Sequence, residues 1–308
     1  MKRTAFTIML VMAAAAAAGA DRVMTNGFKF IVGDLALPYR EGAVFLLPDE
    51  KVPLEVRATT SKLHKVEAPN GRLIAAGPNR WSWQAPREPG EYDIEVKEPV
   101  TGTERIEVNA FVMVPASQVR NGILNGYRIG NYPAKPLKGD PAFTAPAGYI
   151  QVTEKNQDSK VSPHFRLRQF LTKQPSAWPK YLVLDERLVM ALETISDLLE
   201  PLGYDGDDMH VMSGYRTPFY NKAIGNVGFS QHQWGRAADI FIDKDKNGMM
   251  DDLNKDKRID KNDATFLYQM LDRVSKQSSL IGGLGVYGSS STHGPFVHVD
   301  VRSNKARW

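Results

Sequence analysis

The sequence predicts an α+β protein in which an all-β segment precedes a mixed segment of sheet and helices. Three observations predict it. Residues 21–117 carry short runs of alternating apolar and polar residues separated by Pro/Gly turns, the pattern of half-buried strands. Residues 181–308 interleave helical apolar stripes with short apolar runs. At 308 residues the chain is long enough for two domains of ~100–200 residues each, and 42% hydrophobic content is enough to give both a core.

The first twenty residues stand apart. Lys2 and Arg3 precede an alanine-dominated apolar run that begins at Ala5 and ends at Ala18-Gly19-Ala20. A positive start, a short apolar stretch and an A-x-A site describe a secretory signal peptide over residues 1–20, cleaved before Asp21. A membrane anchor is the competing reading, but the run is only about sixteen residues, short of the ~20 that a span needs. No transmembrane segment is expected after cleavage, and the destination is periplasmic or secreted. The chain has no Cys, which excludes disulfides, thiolate ligands and Cys nucleophiles and suits an oxidising periplasm. Loss of Lys2 and Arg3 takes the net charge from +4 to +2 (4 − 2). So small a surplus, with no Lys/Arg block, predicts no nucleic-acid partner.

In the all-β segment the strand-like runs are residues 43–47, 52–57, 81–84, 92–96 and 105–114. They predict a β-sandwich. The turn Pro89-Gly90-Glu91-Tyr92 resembles those of bacterial immunoglobulin-like modules. No cluster of reactive residues lies here, so a spacer or docking role is expected. Residues 118–180 are rich in Gly, Pro and aromatic residues and predict an ordered connector rather than disorder. His164 lies in this stretch beside Pro163 and reads as a packing residue.

Beyond residue 180, Asp185 is placed to cap a helix with an apolar stripe at Leu188, Met190, Leu192, Ile195, Leu198 and Leu199. A strand is expected at residues 210–213. Thr217-Pro218 opens a short helix, with Thr as cap and Pro in the first turn. Strands are expected at 236–242 and 296–302. A helix is expected at 264–280, with Phe266, Met270, Leu271 and Val274 inward.

The chemistry concentrates in Ser230-Gln-His-Gln-Trp-Gly-Arg-Ala-Ala-Asp239 and Phe296-Val-His-Val-Asp300. The chain has six His, at positions 64, 164, 210, 232, 293 and 298. In the second motif, Val297, Val299 and Val301 fall on one face of a strand and His298 and Asp300 on the other. In the first, Asp239 lies opposite Ala238 and Ile240, and Gly235 permits the turn that lets His232 and Asp239 converge. Two imidazoles and one carboxylate, His232, Asp239 and His298, are the ligand set of a catalytic zinc with one position open. The purely structural alternative is a polar strand edge whose His residues find other partners.

With Ser213-Gly-Tyr-Arg216 upstream, the pattern Ser230-x-His232-x-x-Gly235-x-Ala237-x-Asp239 and Val297-His-Val-Asp300 resembles the zinc D-Ala-D-Ala carboxypeptidase and dipeptidase family of bacterial cell-wall peptidases, over about residues 181–308. The resemblance implies a catalytic domain with an antiparallel sheet and helices, and zinc held by His232, Asp239 and His298. It implies that Arg216 contacts the substrate carbonyl or developing oxyanion and that Ser230 lies near the substrate terminus. It further implies hydrolysis of peptidoglycan stem peptides by metal-activated water. One departure concerns the base. Many relatives carry His or Glu two or three residues before the last zinc His, where this chain has Phe296 and Pro295. His293 is the nearest candidate; Asp300 is the alternative, or else orients His298 or Arg216 from behind.

Between the halves of the motif lies an acidic insertion, residues 243–263. Asp243, Asp245, Asn247 and Asp251, with Gly248, match the start of an EF-hand-type calcium loop, and Asn254 stands where a carboxylate is usual. Overlapping it, Asp252, Asn254, Asp256, Asp260 and Asp263 match a second, with Lys257 where Gly is usual. A solvated acidic loop balanced by lysines is the alternative. Gly283-x-Gly285-x-x-Gly288 satisfies a dinucleotide-binding pattern but lacks its strand–helix context, so it reads as strand and turn. Trp234 lines the cleft or simply packs. Two other functions compete with the peptidase: a metal-bound, non-catalytic wall-binding module, and a calcium-dependent surface adhesin.

Overall fold

The computed structural model describes residues 27–58, 62–100, 102, 104–275 and 280–308. The signal-peptide expectation at 1–20 lies outside them. The protein is mixed α/β, mostly sheet with few helices. Among the described residues no helix is long and apolar enough to cross a membrane. The chain divides into two compact units, one of Thr25–Val189 and Ser213–Ala237, the other including Met190–Met212 and Ala238–Trp308.

In the first unit, residues 28–112 form β1 (Phe28–Val32), β2 (Leu35–Leu37), β3 (Glu41–Leu46), β4 (Lys51–Ala58), β5 (Lys65–Glu67), β6 (Arg72–Gly77), β7 (Arg80–Gln84), β8 (Gly90–Lys97) and β9 (Arg105–Val112). One sheet has the order β2-β1-β4-β7-β6, the other β3-β9-β8-β5. Alternation decides which side chains turn inward. In β4, Val52, Leu54 and Val56 are buried between exposed or half-buried neighbours, and in β9 Ile106 and Val108 do the same. Inward residues of both sheets, with Trp83 fully enclosed, share one core. Most pairings are antiparallel, but β3 runs parallel to β9. The strands β1, β2, β5 and β6 lie outside the runs that the sequence singles out.

The stretch 118–180 has little regular structure but a core of its own. β10 (Val114–Pro115), β13 (Gly148–Val152) and β14 (Lys180–Leu182) make a three-stranded sheet, and β11 (Ile123–Leu124) pairs with β12 (Tyr127–Arg128). Val114, Leu124, Tyr127, Ile129, Tyr149 and Tyr181 bury together. The aromatic residues that make this stretch look unlike a strand pattern are what hold it in place.

Helix α1 (Glu186–Leu199) starts where Asp185 accepts the Arg187 N–H at 3.0 Å. Leu188, Leu192, Ile195 and Leu199 form its buried stripe. In α2 (Pro218–Ala223), Thr217 caps by accepting the Tyr220 N–H at 3.0 Å.

The second unit is built on a five-stranded sheet, β15 (Met209–Ser213), β16 (Ala237–Ile242), β17 (Gly283–Tyr287), β18 (Phe296–Asp300) and β19 (Ala306–Arg307), in the order β15-β16-β18-β17-β19. β17 and β18 are antiparallel, with Gly283 opposite Asp300 and Gly285 opposite His298. The expected antiparallel sheet is not uniform: after β18 the chain reverses, and β19 runs parallel to β17 along its far side. Helix α3 (Lys261–Val274) begins at Lys261 rather than Ala264, because Asp260 and Asp263 form a capping box. Its buried positions are Ala264, Leu267 and Leu271, whereas Phe266 is 40% exposed. Of the expected inward residues Leu271 is buried and Met270 half-buried, Phe266 lies outside the stripe, and the Val274 side chain lies outside the described residues.

Candidate metal centre

His232 sits in a single turn of 3-10 helix, Gln231–Trp234, whose four residues are all buried. Gly235 ends the turn with φ +63°. A Cβ there would meet the Val183 carbonyl oxygen at 2.2 Å, so both the conformation and the close approach require glycine. The His232 ring is oriented by the Gly214 carbonyl, 2.6 Å from Nδ1. A carbonyl can only accept, so Nδ1 carries the proton and Nε2 the lone pair.

Residues of the 118–180 stretch brace this turn. The Tyr132 hydroxyl donates to the Gln233 carbonyl at 2.6 Å and lies 3.0 Å from the Tyr215 hydroxyl. Burial pushes both phenols well above the ordinary tyrosine range, so they act as neutral hydrogen-bonding groups. The Trp234 indole donates to the Thr144 carbonyl at 2.8 Å and packs against Phe143, Tyr132 and Phe229. Trp234 is therefore a packing anchor. Nothing in the sequence around Tyr132 or Thr144 marks them; only the density of aromatic residues hints at an ordered role.

Asp239 on β16 and His298 on β18 are buried, at 3% and 8% exposure. Both strands are buried on both faces, so the polar side of the expected alternation is also closed to water. His298 Nδ1 lies 2.9 Å from Asp239 Oδ1, and Nε2 lies 3.1 Å from Asp300 Oδ2. Asp300 is fully buried and also accepts two bonds from Arg302 Nε, at 2.8 and 2.9 Å, and one from Nη2. Burial alone would raise the Asp300 pKa, but His298 and Arg302 outweigh it and hold the carboxyl far below the usual range. For His298 burial opposes the charged form, yet the Asp239 and Asp300 carboxylates win and raise its pKa. Arg302 is the group that the sequence gives no reason to single out.

His232, Asp239 and His298 each offer one ligand atom, all within 4.8 Å of one another. The donor set fits a divalent transition metal. Asp300 takes the His298 Nε2 side and Gly214 the His232 Nδ1 side, which leaves His298 Nδ1, His232 Nε2 and an Asp239 oxygen as the donors.

Arg216 is half-buried, with Nε donating to Ser213 Oγ at 2.9 Å and its backbone N–H to the His232 carbonyl at 3.1 Å. Ser230 is half-buried at the start of the His232 turn, where its carbonyl accepts the Gln233 N–H. His293 is half-buried, outside the three-ligand cluster. Its Nδ1 donates to the Gly294 carbonyl at 2.8 Å, which leaves the lone pair of the neutral ring on Nε2. Its ring meets Phe296 edge-on at 5.0 Å.

In the acidic insertion, Asp243, Asp245 and Asp251 bring oxygens within 4.8 Å of one another. Asp243 accepts the Asn247 and Gly248 N–H groups, and Asp252 likewise accepts those of Asp256 and Lys257. Lys257, in the glycine position, adopts φ +70°. Asn254 and Asp256 accept backbone N–H groups of their own loop, and Asp260 caps α3. Asp263 is fully buried, and its two oxygens accept the N–H groups of Leu253, Asn254 and Asp260.

A comparison with curated proteins returns no match. A family model does match, from residue 163 rather than 181, and it ends at residue 273, before His293 and His298. Residues 163–273 match the model of Peptidase M15, a family of the zinc D-Ala-D-Ala carboxypeptidase type, and it is to this family that the segment carrying His232 and Asp239 is similar.

Proposed function

We propose that the protein is a zinc-dependent peptidase that hydrolyses the stem peptides of peptidoglycan. The observation that carries this reading is the buried His232, Asp239 and His298 cluster, two of whose members lie in the Peptidase M15 segment. When bound, zinc supplies Lewis acidity and makes water nucleophilic near neutral pH. The chain's own residues do the rest. Arg216 donates to the oxyanion that develops on the scissile carbonyl, and Ser230 receives the substrate terminus. His293 Nε2 takes the proton from the attacking water. Asp300 holds the His298 ring in one tautomer, with Arg302 fixing the carboxylate in turn. Residues 1–20 direct export, and the β-rich segment before residue 118 serves as an immunoglobulin-like spacer.

The first loop of the acidic insertion takes calcium in this reading, at Asp243, Asp245, Asn247 and Asp251. The clustered oxygens of Asp243, Asp245 and Asp251 support it. Calcium then raises the unfolding midpoint of the protein and not that of Asp243→Asn; equal midpoints with and without calcium would remove this part.

One observation favours a second reading, a metal-bound wall-binding module without turnover: Phe296 and Pro295 stand where many relatives carry the base. Digestion of purified muropeptides, followed by mass spectrometry, separates the two. The peptidase reading requires cleaved stem peptides that disappear with a chelator and return with zinc. Intact muropeptides at every pH, with zinc bound, would leave the binding module.

A further inference from the structure

The glycines of Gly283-x-Gly285 lie at specific positions on β17. Gly283 pairs with Asp300 and Gly285 with His298. A Cβ on Gly283 would lie 2.3 Å from Asp300 Oδ2, and one on Gly285 would lie 2.4 Å from Trp308 Nε1. The strand therefore opens a lane without side chains beside the metal ligand. The Asp300 carboxylate fills one place in it and the Trp308 indole the next.

Trp308 is held there at both ends. Its backbone N–H donates to Leu284, and its carbonyl accepts from Val286 at 3.0 Å. Its indole N–H donates to the Tyr287 hydroxyl at 2.6 Å, and Tyr287 stacks on Phe296 at 4.7 Å. So fixed, the indole lies 5.3 Å from the His298 ring, and the Arg302 guanidinium sits 5.1 Å over its face. That guanidinium is the one that chelates Asp300, the carboxylate behind His298 Nε2. The indole thus touches both ends of the His298–Asp300–Arg302 array.

We infer that Trp308 is a positioning residue for the metal centre: seated in the lane left by Gly285, it fixes the plane of the His298 ring and so the direction of Nδ1. The inference rests on the zinc reading given above. A ring free to rotate about its Cβ–Cγ bond spends less time aimed at a shared ion, and groups behind a ligand set affinity about as strongly as the ligand's own geometry allows.

The test is the zinc dissociation constant of the full chain, measured by competition with a chromophoric chelator, beside the unfolding midpoint of the zinc-free protein. Trp308→Ala weakens zinc binding about tenfold, and Trp308→Phe, which keeps a ring against His298 but loses the bond to Tyr287, falls between Trp308→Ala and the unaltered protein. Tyr287→Phe keeps the stack on Phe296, removes only the indole's anchor, and weakens zinc in the same direction. A folded Trp308→Ala protein with unchanged zinc affinity and only a lowered midpoint would show a merely structural residue and overturn the inference. Should Trp308→Ala not fold, Tyr287→Phe decides alone, and unchanged affinity in it overturns the inference equally. Failure of the unaltered protein to bind zinc would instead remove the metal reading itself.

Discussion

Tyr132 donates its hydroxyl to the carbonyl of Gln233 at 2.6 Å, one residue beyond His232 in the chain. The bond ties the 118–180 stretch to the turn that presents His232.

Removing the Tyr132 hydroxyl leaves a buried carbonyl without its donor. Tyr132→Phe is expected to lose about 1–3 kcal/mol of stability in urea unfolding and to bind zinc more weakly. A variant equal to the unaltered protein in both would show the bond to be incidental.

Gly235 has the narrowest tolerance of the site. Its positive φ and the Val183 carbonyl 2.2 Å from the position of a Cβ both oppose a side chain. Gly235→Ala must shift the turn, displacing His232, and is expected to lower the thermal midpoint and to abolish metal binding together. Retention of metal binding would mean that the turn relaxes without moving the ligand.

Arg216 reads as the group that meets developing negative charge. Arg216→Ala is expected to lower kcat by ~100-fold or more while zinc content stays at that of the unaltered protein. Full activity would remove that role, and loss of zinc would give Arg216 a structural one.

Glu186, the first residue of α1, accepts the Phe45 N–H at 3.1 Å, and burial pushes its carboxyl up to about 7 despite that bond. Its folded pKa lies above the unfolded value of roughly 4.3, so the protonated form is favoured on folding. The resulting stability is fully present below that unfolded pKa and is lost as pH rises through about 7. Denaturant midpoints of the unaltered protein should therefore fall across this window. Glu186→Gln, which keeps the acceptor and cannot ionise, should flatten the fall. Parallel profiles for the two would contradict the assignment.

The metal cluster is legible in the sequence because few residue types can hold such an ion, and the alternation of β18 separates His298 and Asp300 from the valines. The caps of α1 and α2 are legible for a similar reason, each resting on one side chain and its nearest backbone. Strands β5 and β6 are not, since Lys65–Glu67 is too short to show a period and Arg72–Gly77 is exposed almost throughout. The braces at Tyr132 and Trp308 escape for another reason. Each is an ordinary residue type made important by a partner far along the chain, and no local pattern records that. Phe266 misleads because its hydrophobicity suits the stripe, while Leu267 and Ala264 take the buried phase and leave it outside.

X-ray absorption at the zinc edge, on the protein loaded with one equivalent of zinc, tests the central claim most directly. The expected spectrum has a nitrogen/oxygen shell at about 2.0–2.1 Å with the scattering of two imidazoles, reduced to one imidazole or lost altogether in His232→Ala. A shell without imidazole scattering, or a spectrum unchanged by His232→Ala, would contradict it.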